Sequence, residues 1–575
     1  MKKSVLCLFV MFVFWTGIFG QSRSFGEFNM IPKSFASKST QKKAIKTGPA
    51  FEKSVKVYDR LVQARGDFRY PVPEFAITQD TFTVARIYYK DPVRIFLSEK
   101  AFNVCESFGD QSEAAIAFLL GHELTHYYEK HAWRSDFASD NGDLGITKEL
   151  DSLFIELEKT KKDTSFQKRV RRIDALLLEF KDVELEAQSD YLGGFMAYSA
   201  GYGSLSIGPK VIKSLYKAFG LSDQMEGYVT RTEREAMSSR SAERMSDLVD
   251  VFDMANLLAS IGKYDEAYQF YRTLLMEYQS REVYNNVGVT AMLQALKFFT
   301  DQELVYRYPI QMDLDLANSR GPEEVAKRNK LLIHAIQHFE SAISLDPDYA
   351  PAYVNKACAL ALMGDTLRAR FYADVEARKV SKGKYAKSVH DIEILLGILD
   401  ALSGTNAGKA KARERFSSIA NLEGGGLAAS NLAKLENKTL QDPPSPPDPP
   451  VDEEQIDGME VFLLETPTAD KKILKVGADM EFIRDSKKGP HSQLFGAGGI
   501  KMLITNPMYP MKTARGIGIG ASRADIEKAY GTAPRSIRTP NGEILAYDDS
   551  RAILFILKGN APKEQKLERW VLFKS

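Results

Sequence analysis

A chain of 575 residues carries 77 basic and 76 acidic side chains, for a formal net charge of +1, and the charges are mixed along it rather than blocked. That balance gives no footing for a nucleic-acid binder, and the length exceeds what one core serves, so three or more domains are expected. The 44% apolar content is that of a globular protein, and with only seven histidines any cluster of them carries information.

The chain begins MKKSVLCLFVMFVFWTGIFGQS. Lys2 and Lys3 precede an apolar stretch from Val5 to Phe19, and Gly20 supplies a small residue before the sequence turns polar. This pattern predicts a secretory signal peptide over 1–20, cut near Gly20, with a retained anchor as the alternative. The stretch is short of the roughly 20 apolar residues that a membrane span needs, and no second span follows. The protein is therefore expected to be exported, to the periplasm or cell envelope or by secretion, with no membrane span after cleavage. Cys7 lies within the signal. Cys105 and Cys358 remain, and are expected to be buried free thiols rather than a disulfide. Residues 21–52 are Ser- and Lys-rich and are expected to form a polar, poorly ordered lead.

From 53 to 250 the pattern is mostly helical, with one extended stretch, VRIFLSEKA (93–101). SEAAIAFLLGHELTHYYEKH follows, with Ala115, Phe118, Leu119, Leu124 and Tyr127 at helical spacing. His122 and His126 are four apart and share one face of that helix, so both can reach one metal ion. Glu123 stands one residue round from His122, close enough to act on a metal-bound water without being a ligand. This is the chemistry that HExxH serves in zinc hydrolases, with the glutamate as base. A chance HExxH on a solvated or packed helix is the bland alternative.

A catalytic zinc takes three protein ligands and keeps one position open. Ten positions after His122, where a third histidine would stand in metzincins, the chain has Ala132, and His131 misses that register. The third ligand is therefore expected to be a carboxylate from a later helix. VELEAQSDYLGG (183–194) offers Glu186 and Asp190, four apart on one face, with Gly193 and Gly194 allowing close helix approach. Glu186 is assigned to the metal. Asp190 is assigned to the outer ring N–H of a ligand histidine, which a carboxylate can orient. Glu184, on another face, is the rival ligand.

From 251 to 437 the texture changes. Ala255, Gly262, Tyr264, Ala267 and Tyr271 fall at tetratricopeptide-repeat positions, and Gly288 follows Ala255 by 33 residues. Ala335, Phe339, Ala342 and Pro347 close one unit, while Ala357, Gly364 and Ala369 open the next. Such repeats are helix pairs of about 34 residues whose small side chains let helices approach closely. Residues 295–330 interrupt the array, and 388–437 are expected to be a degraded unit or cap. A Pro-rich linker (438–455, containing DPPSPPDPPVDEE) leads to 456–575, expected to be a small α+β domain held apart as an independent unit. There MEVFLLET, GIKMLITN, EILAYDD, AILFILKG and LERWVLFKS read as strands, and SRADIEKAYG as a helix capped by Ser522 and stopped by Gly531. The fold class is multidomain and mainly α. It comprises a helical domain with a small sheet, a helical repeat solenoid, and the α+β domain.

The order IFLSEKA, HELTHYYEKH, EAQSDYLGG resembles the gluzincin peptidases of family M forty-eight, the HtpX, BepA and CAAX prenyl protease type. The resemblance covers about 53–250. SSRSAERM (238–245) is similar to the segment that closes the family's catalytic domain, and Arg244 matches its arginine, expected beside the metal ligands. The resemblance implies a helical zincin domain with a short sheet beside the active-site helix. It also implies one Zn2+ per chain on His122, His126 and Glu186, with Glu123 as catalytic base. BepA likewise joins such a domain to tetratricopeptide repeats. The implied activity is zinc metalloendopeptidase, with protein or peptide substrates and protein clients on the repeats. A silent peptidase domain in a chaperone or scaffold is the alternative.

Overall fold

The computed structural model describes residues 44–131, 185–310, 322–438 and 471–574, apart from short internal stretches of which 221–230 and 486–490 are the longest. The expected signal peptide, most of the lead, Glu184, the Pro-rich stretch 442–454 and the expected strand MEVFLLET lie outside the described residues.

Helix α1 (Pro49–Arg65) opens with proline at its first turn and ends at Gly66, whose left-handed φ of 58° suits a glycine. A three-stranded sheet follows, of order β1-β3-β2, from β1 (Glu74–Thr78), β2 (Ala85–Tyr88) and β3 (Arg94–Ser98). β3 runs parallel to β1 and antiparallel to β2. The expected extended stretch is β3. β1 and β2 are five and four residues long, too short for alternation to declare them. Ser98 caps α2 (Glu99–Glu106) by accepting from the Ala101 N–H at 3.1 Å. Helix α3 (Ser112–Tyr128) is buried on nearly every side, between α1, the sheet and α5 (Ile207–Phe219). Helix α4, residues 185–199, crosses α3, and α6 (Arg231–Ser260) runs alongside α5.

The small residues that signalled repeats sit where helices meet. The end of α6 pairs with α7 (Tyr264–Leu275), α8 (Arg281–Leu296) with α9 (Pro322–Leu345), and α10 (Ala350–Leu362) with α11 (Thr366–Phe371). α12 (Ser388–Leu402) pairs with α13 (Asn406–Ala420), and α14 (Gly426–Leu435) closes the array, as a degraded unit and cap would. Gly262, Gly364 and Gly404 turn three of these pairs with left-handed φ of 73°, 82° and 71°. A Cβ on Gly288 would strike the Phe339 ring at 2.5 Å, and one on Gly397 the Phe416 ring at 2.6 Å, so a glycine-to-phenylalanine contact recurs. Cys105 and Cys358 are both free and buried, and burial pushes the Cys105 thiol up to about 12.

The boundary expected at 250 falls inside α6, an unbroken helix. Its neighbours continue across it. Phe195 of α4 packs edge-on against Tyr278 (centroids 4.8 Å), and Arg281, buried, ion-pairs with Asp346 and donates to the Gln63 carbonyl of α1 at 3.1 Å. The first repeats share one core with helices α3 and α4.

In the C-terminal part, β4 (Lys471–Val476), β5 (Met480–Asp485), β6 (His491–Gly496), β7 (Lys501–Thr505), β8 (Arg535–Thr539), β9 (Gly542–Tyr547), β10 (Ile553–Lys558) and β11 (Lys566–Lys574) form one antiparallel sheet. Its order is β4-β5-β6-β7-β11-β10-β9-β8. Helix α15 (Arg523–Tyr530) has the expected Ser522 cap, in a capping box with Asp525, and stops at Gly531. Leu503, Leu545, Phe555 and Trp570 share a cluster with Ile526 and Tyr530 of α15. Ile504, Ile544, Leu554 and Val571, on the other face, join the core that holds Leu258 and Val287. The domain therefore does not stand apart as expected: β8 and β9 rest against α6. A sheet apolar on both faces needs a second cover, and α15 covers only one.

Candidate functional site

Helix α3 buries its polar segment almost completely: His122 is 3% exposed and Glu123 1%. A buried polar group needs partners, and those of His122 come from α4. The two helices approach to backbone contact, because Gly121 and Gly193 face each other. A Cβ on Gly193 would lie 2.6 Å from the carbonyl carbon of Gly121 and the amide nitrogen of His122. That contact sets Glu186, on the α4 turns before it, against both histidines and Asp190 against His122.

The donor atoms converge. Glu186 Oε2 lies 3.3 Å from His122 Nε2, Glu186 Oε1 lies 3.3 Å from His126 Nε2, and the two Nε2 atoms are 3.1 Å apart. Ligands about 2.0–2.1 Å from one tetrahedral ion stand about 3.3–3.4 Å from each other, so the spacing fits zinc without rearrangement. Among the described residues His122, His126 and Glu186 are a group with one ligand atom each inside 4.8 Å.

The outer nitrogens orient both rings for the neutral, metal-binding form. His122 Nδ1–H donates to Asp190 Oδ1 at 2.8 Å, which leaves Nε2 with its lone pair toward Glu186 and His126. His126 Nδ1 meets His131 Nδ1 at 3.0 Å, and His131 Nε2 donates to Gln188 Oε1 at 3.1 Å. With His131 donating through Nε2, its Nδ1 accepts from His126, and His126 Nε2 is also a lone-pair donor. His131 reaches this place because Lys130 takes a left-handed φ of 56° just past the end of α3. Lys130 is held there by Tyr70, its ammonium 2.6 Å from the hydroxyl and over the ring.

Burial opposes a proton on His122, but Glu186 and Asp190 outweigh it and raise its pKa to about 10. Without a metal, the same carboxylates hold a proton on His122, which zinc bound at Nε2 would displace. Burial lowers the pKa of His126, against the pull of Glu186. Burial also works against the Glu186 charge, yet His126 and His122 hold its carboxyl well below the usual range. Two carboxylates around two imidazoles thus call for a cation between the Nε2 atoms. Beside them, Glu123 Oε2 is buried without a hydrogen-bond partner, and burial, eased by His122 and reinforced by Glu186, pushes the carboxyl up to about 8.

The structure brings five of the six expected site residues together: His122, Glu123, His126, Glu186 and Asp190. Arg244 is elsewhere. It lies on the half-exposed side of α6 and pairs with Glu277. Ser241 of the same segment reaches α4 instead, donating to the Ala187 carbonyl at 3.2 Å. His131, Gln188 and Ser189 complete the site. His131 was visible in HYYEKH but only as a failed ligand, since spacing does not reveal the left-handed turn at Lys130.

Replacing Asp190 by asparagine keeps the shape but loses the charge that favours the Nδ1–H tautomer of His122. Metal affinity is expected to fall about 10–100-fold, less than on loss of a ligand. Titration with a chelating competitor measures it, and wild-type affinity would make Asp190 a bystander.

Comparison with known families gives one finding: a tetratricopeptide repeat model matches residues 338–371, the last third of α9 through α11. No curated protein matches the chain. Residues 338–371 are thus a tetratricopeptide repeat, in a chain whose described residues are mainly helical with two sheets.

Proposed function

We propose that the chain is a zinc-dependent metalloendopeptidase of the cell envelope. Residues 53–250 would carry a zincin-type catalytic unit of the family M forty-eight kind, and the repeats would recruit protein clients. The observation that carries this reading is the cluster of His122, His126 and Glu186, with both imidazoles oriented and Glu123 buried beside them. Two neutral imidazoles and a carboxylate are a donor set that suits catalytic zinc, with a fourth position left for substrate. Zinc held there supplies a Lewis acid that makes water nucleophilic near neutral pH and polarises a peptide carbonyl.

The rest is work for the chain's own groups. Glu123 Oε2 takes a proton from the attacking water and passes it to the leaving amine nitrogen. Its burial raises its proton affinity into the range where both transfers are feasible at neutral pH. Asp190 and His131 fix the two rings, so that neither turns during the reaction. The repeats present helix pairs of the kind that bind extended or helical protein segments. Export follows from the N-terminal MKKSVLCLFVMFVFWTGIFG.

The test is zinc content together with casein cleavage, for the wild type and for Glu123→Gln. Zinc in both and cleavage only in the wild type is the expected outcome. The repeat at 338–371 favours a second reading, a chaperone or scaffold with a silent peptidase domain. Wild-type protein that binds zinc and client but never cleaves would select it. Glu186→Gln is expected to lose the metal, whereas Glu184→Gln keeps it. The reverse, by metal analysis of the two purified variants, would move the ligand to Glu184.

A further inference from the structure

The C-terminal sheet reaches the helix that carries Glu186. Tyr198, three turns along α4 from Glu186, donates its hydroxyl to Asp253 Oδ1 of α6 at 2.8 Å. The other oxygen of that carboxylate accepts from Arg569 Nη2 of β11 at 3.0 Å. Asn541, in the turn between β8 and β9, stands beside the Tyr198 hydroxyl. One carboxylate, 15% exposed, therefore joins α4, α6 and the sheet.

This is the last of three fixings along α4. At its start, Ser241 of α6 holds the Ala187 carbonyl, one residue past Glu186. In the middle, Met245 fills the notch at Gly194, where a Cβ would meet its sulfur at 2.1 Å. The first two need only α6. The third is completed by Arg569 and Asn541, from a domain that contributes no ligand.

We infer that the C-terminal domain is a brace for the metal-ligand helix, with Arg569 and Asn541 as positioning residues that act through Asp253 and Tyr198. The inference rests on the zinc reading of His122, His126 and Glu186. A helix transmits a shift at Tyr198 along its length, and ligand distances tolerate only about 0.2 Å. Loss of Arg569 also leaves a partly buried carboxylate without its cation, so Asp253 turns toward water and releases Tyr198.

Cobalt(II) is titrated into metal-free, full-length protein, and the visible band of the bound ion is read. Arg569→Met and Tyr198→Phe are each expected to weaken binding about threefold to thirtyfold and to shift the band. The double variant should fall short of the product of the two, because both break one clamp. Arg569→Lys, which returns a cation to Asp253, should recover most of the affinity. Folded single variants with wild-type affinity and band would overturn the inference while leaving the metal site intact. If Arg569→Met does not fold, Tyr198→Phe and Asn541→Ala carry the same two readings. Wild-type protein that binds no cobalt would overturn the zinc reading and this inference with it, and that result is seen before any substitution is made.

Discussion

Glu123→Gln is expected to abolish peptide hydrolysis while leaving the fold and the zinc in place. Glutamine has the volume of glutamate, and Glu123 gives no ligand atom to the cluster, so coordination by His122, His126 and Glu186 does not depend on it. What changes is proton affinity. The carboxylate that accepts a proton and later donates it becomes an amide that does neither. General-base catalysis by a placed side chain is typically worth about 10²–10⁴-fold, so the variant's kcat should fall at least that far with zinc content unchanged. The folded state should gain as well, because burial opposes the Glu123 charge and a neutral amide avoids that cost. Turnover at the wild-type rate, with zinc bound, would remove Glu123 from the mechanism.

The parts of the site legible in the sequence were those fixed by local geometry. Four-residue spacing on a helix places His122 with His126 and Glu186 with Asp190 whatever the rest of the chain does. That these two faces meet was signalled by Gly193, whose missing side chain lets α4 touch α3. The cap at Ser522 and the stop at Gly531 were equally local, and both stand. His131 was not legible, because its place depends on one left-handed residue, Lys130, that is not a glycine.

Domain limits were harder, since a change of texture is not a change of core. Repeat spacing begins at Ala255, but the helix that carries Ala255 began at Arg231, and Phe195 and Tyr278 pack across the supposed border. The independence of the C-terminal domain rested on prolines between it and the repeats. The contrary signal was present in the run ILFIL of β10. A strand with one wet face alternates, whereas an unbroken apolar run has cover on both sides. One small helix cannot provide both covers, so the second had to come from elsewhere in the chain, and α6 and its neighbours provide it.

Gly193→Ala is the change that should do most damage for its size. An alanine in a helix interior is favoured over glycine by about 1 kcal/mol, so propensity alone predicts a gain. The crossing reverses the sign. The new methyl would sit 2.6 Å from the Gly121 carbonyl carbon and the His122 nitrogen, and 2.8 Å from the Gly121 oxygen. All three are backbone atoms inside α3 and cannot rotate away. The helices must part, and overpacking of this kind costs about 1–3 kcal/mol or more. The separation also falls directly on the site, since α3 carries two of the proposed ligands and α4 the third. A misplacement near 1 Å can cost about 10²-fold in rate, and zinc affinity should fall with it. Gly194→Ala is the internal control. Its methyl would meet the thioether of Met245, a flexible side chain that can swing aside, so the loss should be much smaller. Thermal unfolding and zinc affinity of the two variants decide the matter. If Gly193→Ala kept wild-type zinc and stability, the contact between α3 and α4 would not be what assembles the site. If Gly194→Ala were the more damaged, the notch filled by Met245 would matter more than the crossing.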